Sequence, residues 1–396
     1  MDLCQGKEKI YALVDSYKEK MIEISDFIHD NPELGNSEFK AHKLLTETLE
    51  MYGFVVEKEV SGLKTAFRAT YRIGKGGPKL GLLCEYDALK DLGHGCGHNM
   101  QGPSIVGAAL ALAKGLGDTP ATIIVYGTPA EETTSGKIPM AKDGIFDDLD
   151  VALMMHGSDR TTVDGSSLAV NCYDFIFDGK AAHAAIAPDR GISALDAVLQ
   201  MFNGIEYLRE HVRPDVRIHG IITDGGKAPN IVPEHAVAQF YIRASDRPHL
   251  DTVIERVFNV AKGASMMTGA RLSINEVKAY DNKINVEALN EVLLAHAHAA
   301  GATNITPPRK LTGSTDFSCV TYRVPGAAIR VAFVPIDTSS HSIEWERAAK
   351  SKEAHDAVMV AAKSIAGCCY DLVNTPGLLN KIKQDFDNVK NAQLKR

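Results

Sequence analysis

The sequence predicts an α/β protein: a catalytic domain with a largely parallel sheet flanked by helices, plus an inserted ferredoxin-like α+β unit. Three observations predict it. Short apolar runs of strand length alternate with helical stretches as far as residue 168, the pattern of parallel strands joined by crossovers. From residue 169 the order changes to βαββαβ, which is that of a ferredoxin-like unit. The 396 residues are 45% hydrophobic, enough for two cores. The expected division is residues 1–168 and 282–396 for the catalytic domain and 169–281 for the insertion.

Each element follows in order. Ile10, Leu13, Val14, Tyr17, Met21 and Ile24 recur at helical spacing and predict a helix over 7–30, which Asn31-Pro32 ends. A second helix is expected from Ser37 to Tyr52. Ala66–Ile73 and Leu80–Cys84 read as strands, and Gly102–Gly115, small and apolar, as a buried helix. Ala121–Tyr126 and Val151–Met155 read as buried parallel strands. In the insertion, Ala169–Phe177, Arg217–Asp224, Glu234–Arg243 and Arg271–Lys278 read as strands, and Ile192–Glu210 and Leu250–Met267 as helices. Val286–Ala299 is then a helix, Ala327–Phe333 a strand and Lys350–Leu372 a closing helix, with a polar tail after Pro376 that is helical or frayed.

Composition narrows the function. A net charge of −7 gives no support to a nucleic-acid or acidic-membrane partner. No run of about 18 apolar residues occurs, so no span is expected. The first residues lack the apolar core of a signal peptide, and the seven cysteines (4, 84, 96, 172, 319, 368 and 369) form no disulfide framework. A cytoplasmic location is therefore expected.

The chemistry gathers at strand ends. The run Leu80–Cys84 leads to Asp87 and then to Gly93-His94-Gly95-Cys96-Gly97-His98-Asn99, where a thiol and an imidazole stand one glycine apart. Ala121–Tyr126 leads through Gly127-Thr128-Pro129-Ala130 to Glu131-Glu132, Val151–Met155 ends at His156, and Ala327–Phe333 precedes His341. In parallel sheets ligands sit at the carboxyl ends of the strands, so these groups should meet at one edge. Thiolate, imidazole and carboxylate suit zinc and similar first-row ions. Two neighbouring ions need about five protein donors with some sharing. Cys96, His98, Glu132, His156 and His341 supply such a set, and a thiolate or carboxylate must bridge because a neutral imidazole cannot. Adjacent residues of an extended segment point different ways, so one member of Glu131-Glu132 can bind metal while the other acts as general base.

Taken singly, each donor also has a structural reading. A buried cysteine is a small core hydrophobe, and a lone histidine such as His94 or His183 is commonly a satisfied structural residue. Glu131-Glu132 alone is equally a solvated or helix-capping pair. The joint pattern carries the inference, because every donor falls at or just after an expected strand end.

With these residues in view, the chain resembles the M20 metallopeptidases, the dinuclear aminoacylase and carboxypeptidase family. Within it, the chain resembles the amidohydrolase branch that holds hippurate hydrolase, aminobenzoyl-glutamate hydrolase and Xaa-Arg dipeptidase. The resemblance runs over nearly the whole chain. It is carried by Phe27-Ile28-His29-Asp30-Asn31-Pro32-Glu33-Leu34-Gly35, Cys84-Glu85-Tyr86-Asp87-Ala88-Leu89, Gly93 to Asn99, Gly127 to Glu132, Gly225 to Pro233 and Gly313-Ser314-Thr315-Asp316-Phe317. It implies Cys96 as the bridging ligand beside His98, Glu131 as catalytic base, Glu132, His156 and His341 as further ligands, and Asp87 as the aspartate that orients a ligand. It implies two divalent ions in each protomer, zinc or manganese foremost and cobalt or nickel as fits. It also implies that the insertion is a lid and dimerisation surface, and that His183 reaches the partner's site in a homodimer and polarises the scissile carbonyl. Asn230 is the matching substrate-side residue of the Pro229-Asn230-Ile231-Val232-Pro233 segment.

The chain departs from the pattern at Thr133-Thr134-Ser135, where relatives have glycines, after His156 and His341, and at Thr315, where hippurate-type relatives often carry an acid. These departures bear on substrate rather than on metal. Arg243, with Gly313, Ser314 and Thr315, is a candidate for holding a substrate carboxylate, though Arg243 is equally a strand salt-bridge partner. The expected activity is hydrolysis of the amide bond of a dipeptide or N-acyl amino acid, releasing a free amino acid, by a water held between the metals and activated by Glu131. Two rivals are a metal-free cysteine hydrolase using Cys96 and His98, and a non-catalytic binding protein on the same fold. Chelator resistance would mark the first and missing ligands or base the second; none is missing.

Overall fold

A computed structural model describes residues 3–308 and 314–394. Its strands, in chain order, are β1 (Val55–Lys58), β2 (Phe67–Ile73), β3 (Lys79–Cys84), β4 (Ala121–Gly127), β5 (Val151–Ser158), β6 (Thr162–Val163), β7 (Ala169–Asp178), β8 (Arg217–Asp224), β9 (His235–Ala244), β10 (Arg271–Tyr280) and β11 (Gly326–Ala332). They form two sheets among the described residues, one of seven strands in the order β1-β2-β4-β3-β5-β11-β6 and one of four in the order β10-β7-β9-β8. The chain correspondingly divides into two compact units. The larger contains both ends of the catalytic sequence and the smaller is built on Ser167–Asn282.

The seven-stranded sheet is mixed. At its centre β4, β3, β5 and β11 are mutually parallel neighbours. The edges turn antiparallel, with β1 on β2, β2 on β4 and β6 on β11. The reason lies in the connections. Only eight positions, 59–66, separate β1 from β2, too few for a parallel crossover. The central strands read as unbroken apolar runs because both their faces are covered: every residue of β3 after Lys79 is buried. Helix Gln101–Gly115 is apolar on all sides, with every residue from Gln101 to Leu112 buried, so it lies within the core rather than on it.

At the N-terminus, two helices, Leu3–Ser16 and Lys18–Asp30, replace the single expected one and meet at Tyr17. The break leaves Ile10 and Val14 of one half and Met21, Ile24 and Ile28 of the other in the same core cluster. Further helices cover Phe39–Met51, Glu287–Ala299 and Lys352–Asn374, and the polar tail forms a helix over Leu378–Leu394. Ile382 and Phe386 are its buried residues. No helix of the described residues is long and apolar enough to cross a membrane.

The smaller unit has a βαββαβ order. Along β9, Ala236, Ala238, Phe240, Ile242 and Ala244 are buried in strict alternation, so one face of the sheet is a core face. Helices Ala194–Arg209 and Arg247–Thr268 supply the rest of that core through Ala197, Met201, Ile205, Val253, Val257 and Ala261. Both helices start on a side-chain cap, Ser193 Oγ accepting from Asp196 N and an Asp246 carboxylate oxygen accepting from His249 N. The second ends at Gly269, whose φ of +78° is the left-handed stop glycine favours. Ser314 and Thr315, expected with the catalytic domain, group with this unit. Ser314 Oγ explains it, donating to Leu168 O at 2.8 Å and accepting from Arg243 Nη1 at 2.8 Å.

Candidate metal centre

The four parallel central strands deliver their carboxyl ends to one edge of the sheet, and the candidate donors meet there. From β3 the chain passes through Glu85 and Asp87 to the Gly93–Gly97 turn. Gly97 takes φ +78°, a left-handed conformation that glycine adopts without strain, and this turns the chain between Cys96 and His98. His98 then opens a 3-10 turn that runs into the buried helix. β4 delivers Glu131 and Glu132. His156 lies within β5, which continues to Ser158, three residues beyond the expected Met155. His341 follows β11 and is anchored by its own N–H on Gly95 O at 2.9 Å.

Three overlapping groups result, in each of which the donor atoms lie within 4.8 Å of one another: Cys96, His98 and His156; Cys96, Glu132 and His341; His98, Glu131 and Glu132. Cys96 Sγ is 3.5 Å from His156 Nε2, and Glu132 Oε1 is 3.3 Å from His341 Nε2. Cys96, His98 and Glu132 each belong to two groups, and of these only the thiolate or the carboxylate could be shared between two ions. Hydrogen bonds fix which ring nitrogens are available. His98 Nδ1 lies 3.1 Å from both Asp87 O and Asp87 Oδ1, so a proton on Nδ1 is satisfied there and Nε2 is the nitrogen left to face a metal. His156 Nδ1 faces Gly157 O at 2.8 Å, again leaving Nε2. The other Asp87 oxygen, Oδ2, accepts from Glu132 N at 2.9 Å, so one aspartate positions a histidine and a glutamate together.

A divalent cation fits this set. His98 Nε2 and Glu132 Oε1 are buried and make no hydrogen bond, the signature of atoms that await another partner. Burial pushes the Cys96 thiol up to about 12, so its thiolate requires a strong positive neighbour. Burial, then Arg330 and His98, pushes His156 down to about 4, which keeps it a neutral ligand. Burial opposes charge on His98, but Cys96 and Asp87 outweigh it and hold that ring well above its ordinary value. Burial, then Glu85 and Asp316, raises the Glu131 carboxyl well above the carboxylate range, as suits a group that must take up a proton.

Beneath the donors lies a buried network that the strand-end pattern of donors does not mark. Lys137 is fully buried and donates to Glu85 Oε1 and, at 2.8 Å, to Asp316 Oδ1. Gln101 Nε2 donates to Glu85 Oε2 at 2.6 Å, and that same oxygen lies 3.3 Å from His98 Nε2. Burial raises the Glu85 pKa, but Lys137, His98 and His156 outweigh it and bring it down to about 2. Glu85, Glu131 and Asp316 would themselves make a metal-type cluster, but the Lys137 ammonium already supplies a cation to two of them. Glu85 and Asp316 stand in the motifs quoted above and Lys137 follows the glutamate pair, so their signal was a charged residue inside an otherwise apolar or glycine-rich run.

The remaining candidates lie elsewhere. His94 is buried beside His29, with ring centroids 6.3 Å apart, and belongs to none of the donor groups. Burial, then the charges of His98 and His29, pushes it down to about 3. His183 and Asn230 lie in the smaller unit. They are brought together by an antiparallel bridge between His183 and Ile231 and by Ala184 N donating to Asn230 O at 3.0 Å, and both side chains are exposed. Arg243 pairs with Ser314 and sits 5.4 Å from the Tyr241 ring centroid. Among the described residues no carboxylate comes within ion-pair distance of it. Thr315 stands beside Ser314, and Gly313 lies outside the described residues.

Comparison with known proteins identifies relatives over nearly the whole chain. Residues 170–265 match the family model of the M20 peptidase dimerisation domain. The chain is 33% identical to Xaa-Arg dipeptidase of Mus musculus, with 96% of this chain and 92% of that protein covered. It is 29% identical to a p-aminobenzoyl-glutamate hydrolase chain of Escherichia coli over 98% of this chain and 96% of that one. Among solved structures, a dinuclear metal binding peptidase from the M20 family of Bacillus subtilis superposes with a TM-score of 0.68 at 18% identity, covering 91% of this chain and 99% of that one.

Proposed function

The chain belongs to the M20 family of metallopeptidases and is a metallo-amidohydrolase, and from that premise we propose that it hydrolyses the amide bond of a dipeptide or N-acyl amino acid and releases a free amino acid. The observation that carries the reading is the meeting of five donors and one further carboxylate, Glu131, at the end of four parallel strands. Cys96, His98, Glu132, His156 and His341 would hold two divalent ions, with Cys96 shared. Zinc or manganese suits these donors best. Bound there, the ions would lower the pKa of a water towards neutrality and polarise the scissile carbonyl.

The chain's own residues do the rest. Glu131 takes the proton of the attacking water and passes it to the departing amine, which a carboxylate with a raised pKa does near neutral pH. Asp87 keeps His98 in the tautomer that offers Nε2 and holds the Glu132 backbone. His183, exposed on a unit that matches a dimerisation domain, donates to the oxyanion formed in the site of a second protomer. The names of the relatives favour a dipeptide ending in arginine or an acylated glutamate as first substrates to try.

The test is a panel of arginine-ended dipeptides, p-aminobenzoyl-glutamate and N-benzoylglycine. Each is assayed by free amino acid released, with apoprotein reloaded with zinc, manganese, cobalt or nickel in turn. Metal-dependent release of the C-terminal amino acid is expected. Full activity in chelator, abolished by a thiol reagent, would instead establish the cysteine-hydrolase alternative, and no release with any metal would leave the binding-protein alternative.

A further inference from the structure

Glu38 lies 92 positions before Ala130 in sequence, yet Ala130 N donates to Glu38 Oε1 at 2.8 Å. Its other oxygen, Oε2, accepts from Thr65 Oγ1 at 2.8 Å. Glu38, Thr65 and Ala130 are all buried, with Glu38 and Ala130 wholly inaccessible. The residue that this buried carboxylate holds is unusual. Ala130 has φ +62°, the left-handed conformation that alanine disfavours. It immediately precedes Glu131 and Glu132.

The surroundings lock the same residue. Ala130 O accepts from Ser135 N at 2.6 Å. A Cβ on Gly35 would stand 2.9 Å from both Ala130 Cα and Cβ, so only glycine lets the 31–35 segment close over this turn. Two residues on, Glu132 N is held by Asp87 Oδ2. The backbone on either side of Glu131 is thus held by two buried carboxylates, Glu38 before it and Asp87 after it.

We propose that Glu38 is a positioning residue for the catalytic base: by holding the Ala130 N–H it keeps that residue left-handed and aims Glu131 at the reacting water. The inference rests on Glu131 being the base, as proposed above. It separates two properties of the Glu38 side chain, reach and charge. Glu38→Asp keeps the charge but draws the oxygens back by about 1.5 Å, beyond hydrogen-bond reach of Ala130. Glu38→Gln loses the charge but keeps an acceptor at the same reach, and its amide can donate to the Thr65 hydroxyl.

Both variants, with Glu131→Gln as control, are assayed as metal-loaded protein on an arginine-ended dipeptide, recording kcat, KM and bound metal. Glu38→Asp should lower kcat at least tenfold, up to about a hundredfold for an ångström-scale misplacement, with KM and metal content unchanged. Glu38→Gln should stay within about threefold of the parent, since the positioning contact survives. The inference is overturned if Glu38→Asp keeps its kcat, if Glu38→Gln falls as far as Glu38→Asp, or if the loss lies in KM or in metal. An active Glu131→Gln overturns the base assignment itself; an inactive Glu131→Gln beside a fully active Glu38→Asp overturns only the role of Glu38.

Discussion

Replacing Lys137 by methionine should destabilise the larger unit more than any surface charge change could. The ammonium is fully buried and has two carboxylate partners, Glu85 and Asp316, that are also buried. Methionine fills nearly the same volume, so cavity formation contributes little and the effect is electrostatic. Glu85 keeps Gln101 as a donor. Asp316 does not fare as well: Lys137 is the partner of Oδ1, and Oδ2 already makes no hydrogen bond. Breaking a buried pair by removing one member costs about 3–5 kcal/mol, because a charge is left in low dielectric without compensation. Against a total stability of roughly 5–15 kcal/mol, that is a large fraction.

The assay is urea unfolding followed by far-ultraviolet circular dichroism, on parent, Lys137→Met and the double variant Lys137→Met/Asp316→Asn. The double variant should recover much of the loss, since the uncompensated charge is gone. A loss below about 1 kcal/mol in the single variant, the range of exposed pairs, would refute the reasoning. So would a double variant no more stable than the single one, because packing rather than charge would then explain the defect.

Cys96→Ser should lower bound metal measured by elemental analysis, since Cys96 stands in two donor groups; unchanged occupancy would remove it from the ligand set. Mixing Glu131→Gln with His183→Ala, each inactive alone, should restore part of the activity if sites are completed between protomers, and a mixture as inactive as its components would end that idea. Lys283 predicts a pH effect. Burial brings its pKa down from 10.5 to about 8, so between those values the unfolded chain binds the proton and the folded one does not. Stability should therefore rise with pH across that window, by roughly 3 kcal/mol from this group, and be flat below it. Lys283→Met should remove the rise in urea midpoint between pH 8 and 10.5; an identical slope in the variant would count against it.

What the sequence made legible were the features with a local signature. Central strands are buried on both faces, so they stand out as apolar runs, and the donors follow directly upon them. The short strands β1 and β6 carry no such signature: β1 is mostly exposed and β6 has two residues. The network under the site was hidden for a different reason. Lys137 and Asp316 lie 179 positions apart, and a lysine in a loop reads as solvated until the fold closes over it. Ser314 and Thr315 group with the smaller unit although their neighbours in sequence do not, because Ser314 is tied to Leu168 by a hydrogen bond that no local pattern announces.

The loop after the glutamates shows why the departure at Thr133-Thr134-Ser135 need not disturb the site. Glycine is the ordinary solution where backbone must be left-handed, yet Ala130, Ser135 and His341 have φ of +62°, +60° and +62°. Each such residue costs roughly 1–2 kcal/mol relative to its relaxed form and persists only where neighbours hold it. Here the neighbours are specific. Ala130 is held by Glu38, Ser135 by its N–H on Ala130 O, and His341 by its N–H on Gly95 O, in the very turn that presents Cys96. Side-chain and backbone hydrogen bonds thus hold in this chain a conformation that glycine would adopt without strain. Replacing Ser135 by glycine should relieve strain but also removes the 3.3 Å hydrogen bond that Ser135 Oγ donates to Glu131 O, whereas loss of the Glu38 contact leaves the Ala130 N–H without its acceptor. The two substitutions therefore act on Glu131 from opposite sides, one through its carbonyl and one through the residue before it.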